Sequence, residues 1–477
     1  MKNLLLLAST LLVVSSCERQ TPSESVTQTN PPRVSAMAPQ SYANVVDRVA
    51  PAVITIHAEL RQRAPQQFPF QNDPFFKWFF GNRVPEGGGG SQVEHALGSG
   101  VIVRSDGHIL TNHHVVDGAD DIRVDLNDNR TFKAKLVGSD PLSDLAVLKI
   151  DASNLPVLAL GDSDQTRVGD VCLAVGNPLG VGETVTNGII SAKGRQTGLS
   201  NGAFEDFLQT DAPINQGNSG GALVNTTAEL IGINSQIMST TGGSIGIGFA
   251  IPSNMAKNVM DQLIKSGHVS RGQLGIGIQR VTSDLASSLG LKEPQGVLVN
   301  SVAPGGPADH AGVKSGDVIV AFNGQKVTDP NSFRNNVARS APGTEVTLTI
   351  SRDGHEQQVH AKLDELKPQQ EAADQQAQPS AAPGRLGMTL QPLTPSVAVQ
   401  LNLPQNTKGL VVTMVDPGGP AANSGIQAGD VIQEVNRQPV TTPDQVRSAL
   451  QQSGSRPPLL LVSRGGQTFF VTIAPQG

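Results

Sequence analysis

Between residues 296 and 436 the chain carries one pattern twice. Gly296-Val297-Leu298-Val299 returns as Gly409-Leu410-Val411-Val412, and Pro304-Gly305-Gly306-Pro307-Ala308 returns as Pro417-Gly418-Gly419-Pro420-Ala421. Gly312-Val313-Lys314-Ser315-Gly316-Asp317-Val318-Ile319 answers to Gly425-Ile426-Gln427-Ala428-Gly429-Asp430-Val431-Ile432, and Asn323 to Asn436, always 113 positions apart (296 to 409). So long a match at one fixed offset means two homologous modules. They span 271–365 and 384–475, and the Gln-, Ala-, Glu- and Pro-rich stretch 366–383 between them reads as an unstructured linker. The chain has 477 residues, enough for about three domains, so one more domain lies upstream.

That upstream part reads as short β-branched runs broken by Gly, Asn and Asp. Gly98-Ser99-Gly100-Val101-Ile102-Val103, Gly107-His108-Ile109-Leu110-Thr111 and Asp144-Leu145-Ala146-Val147-Leu148-Lys149-Ile150 are examples. With 51 Gly and 32 Pro, the spacing predicts antiparallel β-barrels over 41–265 rather than long helices. Net charge is -6 and no basic stripe is present, which argues against nucleic acid as a partner. No Gly-Lys-Ser/Thr phosphate loop occurs, so no nucleotide cofactor is expected. His355 and His360 lie five apart in a strand-like run, whereas a zinc-protease helix needs a spacing of four, so no metal site is assigned there.

The first 17 residues pair a basic start at Lys2 with an apolar run from Leu4 to Val14, too short to span a bilayer. They read as an export signal. Val14-Ser15-Ser16-Cys17 resembles a bacterial lipobox, which makes Cys17 a candidate for lipidation and a membrane tether; the alternative is an ordinary signal with a chance cysteine. Residues 18–40 read as a flexible tether. Cys172, the other of two cysteines, sits in an apolar run and reads as a small core residue. Residues 61–92 form an odd insert: it ends in glycines and holds Phe68, Phe70, Phe75, Phe76, Trp78, Phe79 and Phe80. Such a segment must dock on its own domain, on another subunit or over an active site.

Gly217-Asn218-Ser219-Gly220-Gly221 suits a tight turn that exposes one serine hydroxyl and aims backbone amides at a developing oxyanion. A nucleophilic serine needs a base, and the base needs an orienting carboxylate. Thr111-Asn112-His113-His114-Val115 and Leu142-Ser143-Asp144-Leu145 offer them in the order His, Asp, Ser. Neighbouring side chains of an extended segment face opposite ways, so only one of His113 and His114 can meet the serine. Asp140, in a Ser-Asp-Pro setting, is the rival acid and looks like turn chemistry.

These three segments, with Thr210-Asp211-Ala212 before the glycine-rich turn, resemble the HtrA family, and two repeated modules suit its DegP/DegQ branch. The likeness runs from about Tyr42 to the C-terminus. It implies a mainly β chain: a chymotrypsin-like double β-barrel protease domain followed by two PDZ domains. It implies His114 as base, Asp144 as acid and Ser219 as nucleophile, with Gly217, Asn218 and Ser219 around the oxyanion and no cofactor. Ile214, Gln236 and Ile237 are the candidates for a primary pocket taking small aliphatic residues. The loops 180–202, 215–217 and 236–245 are expected to order on activation, since uncharged Asn218 cannot pair with a new N-terminus. The peptide-carboxylate loops would be Gly272, Gln273, Leu274 and Gly275 in the first module, and Arg385, Leu386 and Gly387 in the second. One module, the second above all, could instead be a spacer or an oligomer contact.

The resemblance thus implies an exported, periplasmic, ATP-independent serine endoprotease for unfolded proteins and exposed C-termini, working as a homotrimer or larger cage. The alternatives are a peptide-binding chaperone that does not cleave and a regulatory protease with one signalling target.

Overall fold

The computed structural model describes residues 41–61, 93–177, 183–197, 204–215, 217–238, 243–291, 293–366, 386–452 and 457–473. Cys17, nearly all of the insert and Arg385 lie outside them.

The first lobe is a seven-stranded antiparallel sheet. Its strands are β1 (Val53–Arg61), β2 (Val93–Ile102), β3 (His108–Thr111), β4 (Asp121–Asp125), β5 (Thr131–Lys133), β6 (Lys135–Asp140) and β7 (Leu145–Lys149), in the spatial order 5-4-1-2-3-7-6. Alternation sets the inward face: in β4 Ile122 and Val124 are buried between more exposed neighbours. They join Ile54, Ile56, Ile102, Ile109, Val115 and Leu148 in one apolar cluster. Each such side chain, fully buried, stabilises the fold by roughly 1.5–3 kcal/mol. The sheet is not a closed barrel, because β5 and β6 form its two edges. Only Ala134 separates these two strands, and a tight antiparallel hairpin needs about two loop residues.

The second lobe does close. Strands β8 (Val171–Gly176), β9 (Thr184–Arg195), β10 (Phe207–Thr210), β11 (Ala222–Asn225), β12 (Leu230–Ile237) and β13 (Gly248–Pro252) make a barrel in the order 10-13-12-11-8-9. All eight residues of β12 are buried. Its polar members Asn234 and Ser235 therefore need partners inside the protein. Cys172, as expected, is fully buried in this barrel's apolar cluster.

Helix Ser253–Ser266 follows, burying Met255, Ala256, Val259, Met260 and Leu263 along one face. Gly267, at φ +75°, ends it by returning its N–H to the carbonyl of Leu263. The two repeats come next and have one topology. Strand β14 (Gly272–Gln273) opens the first, and strands β15 (Ile276–Arg280), β16 (Val297–Val302), β17 (Val318–Phe322), β19 (Glu345–Arg352) and β20 (His355–Lys362) lie in that order, with β18 (Gln325–Lys326) beside β17. The second module repeats this with Met388–Pro392, Leu410–Val415, Val431–Val435, Leu459–Arg464 and Gln467–Thr472. The duplication extends to an ion pair. Arg352 clasps buried Asp317 and the carbonyl of Gly312, and Arg464 clasps buried Asp430 and the carbonyl of Gly425, at 2.6–2.8 Å.

The modules also pack together. Val281, Leu285, Leu289, Leu298 and Val318 of the first share an apolar interior with Leu459, Leu461 and Phe470 of the second. Gln279 bonds both the N–H and the carbonyl of Phe470 (2.6 and 3.0 Å). On its other side the first module meets the two β-lobes. Asn331 and Asn335, on helix Pro330–Arg339, both donate to the carbonyl of Glu205 at 2.8 Å. The guanidinium groups of Arg271 and Arg334 both lie against the Phe204 ring, 4.8 and 5.1 Å from its centroid.

Candidate active site

The cleft between the lobes gathers residues that are distant in sequence. After β3, extended Asn112 starts a short helix, His113–Val116. The two histidines thus sit on a helical turn rather than an extended run, and the turn sends them different ways. His114 faces Asp144, whereas Nε2 of His113 lies 3.7 Å from Asp117.

Asp144 lies just before β7 at φ +54°, a left-handed backbone uncommon for a residue with a Cβ. Asn112 holds it there by donating its side-chain amide to the Asp144 carbonyl at 2.9 Å. The carboxylate accepts Nδ1–H of His114 (2.9 Å to each oxygen), the His114 backbone N–H (3.1 Å) and the hydroxyl of Ser235 (2.8 Å). Burial is the largest single influence and pushes this carboxyl upward. The contacts of His114 and Ser235 together outweigh it, so the group is held below the usual carboxylate range.

Ser219 is fully buried at the tip of the glycine-rich turn before β11. Its Oγ donates to the carbonyl of Ser235 at 3.0 Å. The turn needs its glycines. Gly220 has φ +82°, and a Cβ there would come 2.1 Å from the carbonyl oxygen of Ser99. The N–H of Asn218 returns to the carbonyl of Asn215 (3.0 Å), and Gly217 has φ +94°.

Of the pocket candidates, Ile214 and Ile237 are buried in the apolar cluster of the closed barrel. Gln236 is buried beside Ser235 and donates to Thr197 at 3.1 Å. In the first module Gly272 and Gln273 form a short strand with Asp364–Glu365, Leu274 is buried, and Gly275 turns at φ +69°. Carbonyls of Leu274 and Gly275 accept N–H groups of Ala308 and Ala303, as those of Leu386 and Gly387 accept Ala421 and Asp416. Behind both loops, β15 and Met388–Pro392 each pair on one side only among the described residues, so each is an edge strand there. Asp140 is not part of the cleft. It is buried against Arg271 and Ser143.

Ser235 and Asn112 escaped the sequence reading, although both hold Asp144. The available signal was Asn234-Ser235-Gln236, three polar residues inside an apolar strand.

Fold and cleft together define a trypsin-type serine endoprotease carrying two PDZ domains. Residues 98–233 match the trypsin-like peptidase domain family, and 272–363 and 411–464 each match a PDZ domain family. A probable periplasmic serine endoprotease, DegP-like, of Chlamydia pneumoniae is 42% identical over 91% of this chain and 90% of its own length. A probable periplasmic serine protease do/HhoA-like of Haemophilus influenzae is 41% identical over 91% of each. Among solved structures, the HtrA-type protease AlgW with a tripeptide is 46% identical over 69% of this chain and 98% of its own, with a TM-score of 0.57. The chain belongs to the HtrA family, as a serine endoprotease of the periplasmic DegP-like kind.

Proposed function

We propose that His114, Asp144 and Ser219 are the catalytic triad of an ATP-independent endoprotease that degrades unfolded or damaged proteins of the bacterial envelope. The observation that carries this reading is the buried carboxylate of Asp144 on Nδ1 of His114 at 2.9 Å. That bond fixes the tautomer, leaving Nε2 to take a proton. Ser219 attacks a peptide carbonyl as His114 removes its proton, and Asp144 stabilises the imidazolium that results. His114 then returns the proton to the leaving amine, and water releases the acyl group by the same route. Amides of Gly217 and Ser219, with Asn218 beside them, receive the oxyanion; losing one such donor costs about 3 kcal/mol.

The serine proton must pass to His114 for the attack, and ordering of the loops around the nucleophile by a bound peptide suits that step. The open edges of the two PDZ sheets are where a C-terminal peptide would add, and AlgW, a relative solved with a tripeptide, is one that takes a short peptide. Ile214, Gln236 and Ile237 line the primary pocket in this account. Export by residues 1–17, lipidation at Cys17 and assembly as a trimer complete it.

The test is degradation of unfolded casein by the pure protein, with and without a C-terminal peptide. Ser219→Ala should abolish it. No cleavage by the parent under either condition would leave a peptide-binding chaperone as the better reading. Cleavage of a single native target but not casein would point to a regulatory protease. Retention of Cys17→Ala in the membrane fraction would count against the lipid tether.

A further inference from the structure

Every polar atom of Ser99 is engaged, and the residue is fully buried. Its N–H donates to the carbonyl of Ser219 (2.9 Å), and its own carbonyl accepts the hydroxyl of Thr111 (2.7 Å). Its Oγ donates to the carbonyl of Gly217 (2.6 Å) and accepts the N–H of Asn177 (2.9 Å). The Asn177 side chain reaches back to Thr55 (2.6 Å), which stands opposite Ser99 in the β1–β2 ladder. One hydroxyl of the first lobe therefore ties the end of β8 to the nucleophile turn.

The carbonyl of Gly217 shares a peptide plane with the N–H of Asn218. That plane is held at both ends, by Ser99 on the oxygen and by Asn215 on the nitrogen. Gly217, at φ +94°, has no Cβ to limit its rotation. Where its N–H points depends on the neighbouring plane being fixed. The space a Cβ at Gly220 would share with Ser99 shows that turn and strand are already in contact.

We propose that Ser99 is a positioning residue for peptide hydrolysis. Its hydroxyl locks the Gly217–Asn218 plane so that the Gly217 N–H aims at the oxyanion. The proposal rests on the reading of Gly217 and Ser219 as oxyanion donors. Without the hydroxyl, a buried carbonyl and a buried N–H lose a shared partner, and the plane is held at one end only.

Three kinetic readings on the full-length protein test this. Ser99→Ala should lower kcat about 10- to 100-fold and leave KM within about twofold, since the donor is misaimed rather than removed. A peptide boronic acid, whose tetrahedral oxygen occupies the same place, should lose affinity by the same factor. The matching peptide amide should bind as before. Ser99→Cys, with a weaker donor, should fall between parent and Ser99→Ala in kcat and in boronate affinity, and it carries the test alone if Ser99→Ala does not fold. A kcat within about threefold of the parent in Ser99→Ala, or boronate and amide weakening together, overturns the proposal. Cleavage persisting in Ser219→Ala would instead remove the triad reading beneath it, so the two failures are separable.

Discussion

Arg271 grips Asp140 with both terminal guanidinium nitrogens, across the seam between the protease lobes and the first PDZ domain. Their side chains are 8% and 7% exposed, and Ser143 donates to the same carboxylate. Removing one partner strands a buried charge, whereas removing both strands none. Arg271→Met or Asp140→Asn should each cost roughly 3–5 kcal/mol of seam stability. The double variant Asp140→Leu/Arg271→Met should recover most of it. Urea midpoints of the three variants decide this, and a double variant worse than either single one contradicts it.

Asp144 predicts a pH dependence. Its carboxyl is held below the ordinary range, so its folded value lies under its unfolded one. The stability it contributes is complete above the unfolded value and is lost as pH falls through the folded value. Ser235→Ala removes one of the contacts that lowers it, so the acid limb of thermal stability should move to higher pH. Asp144→Asn should flatten that limb and cut kcat by roughly 10⁴-fold, through the wrong imidazole tautomer. Melting curves from about pH 2 to 5 follow the change, which begins near the ordinary carboxylate value and continues below it.

Cys172 should be inert while the protein is folded. Burial, opposed by the Thr210 hydroxyl, pushes its thiol up to about 11. Thiolate is the reactive form, so little is present near neutrality. In a Cys17→Ala background, iodoacetamide should leave the native protein unlabelled and should label the urea-unfolded chain quickly. Rapid native labelling would mean that this barrel opens often.

Gly220→Ala places a methyl group 2.1 Å from the Ser99 carbonyl oxygen, at a backbone φ of +82° that disfavours any Cβ. Turn and strand must part to admit it. Casein cleavage should fall at least 100-fold, a barrier change of about 3 kcal/mol, while the PDZ domains still bind peptide. Near-parental cleavage would show the turn to be more pliant than its packing implies.

What the sequence displayed, and what it hid, follows from how far each constraint reaches. The repeat and the segments around His114, Asp144 and Ser219 are contiguous patterns, so they could be read directly. The run Leu145-Ala146-Val147-Leu148-Lys149 likewise announced a strand, found as β7. The open first sheet was not legible, because it depends on a one-residue connection at Ala134. Ser99 and Ser235 act through contacts with residues 118 and 91 positions away, and nothing local marks such partners. The Asp140–Arg271 pair spans 131 positions, and its Ser-Asp-Pro setting suggested only a turn.

The ladder joining β1 to β2 runs without a break from Val53 opposite Val101 to Arg61 opposite Val93. Chain leaves this ribbon and re-enters it at facing positions, which in antiparallel sheets stand about 5 Å apart. Residues 62–92 can therefore be excised and the cut ends rejoined by a two-residue Asn-Gly turn, with the register of the seven strands undisturbed. Removing it in one step would then show what work the aromatic-rich segment does, since the strands on either side would keep their pairing.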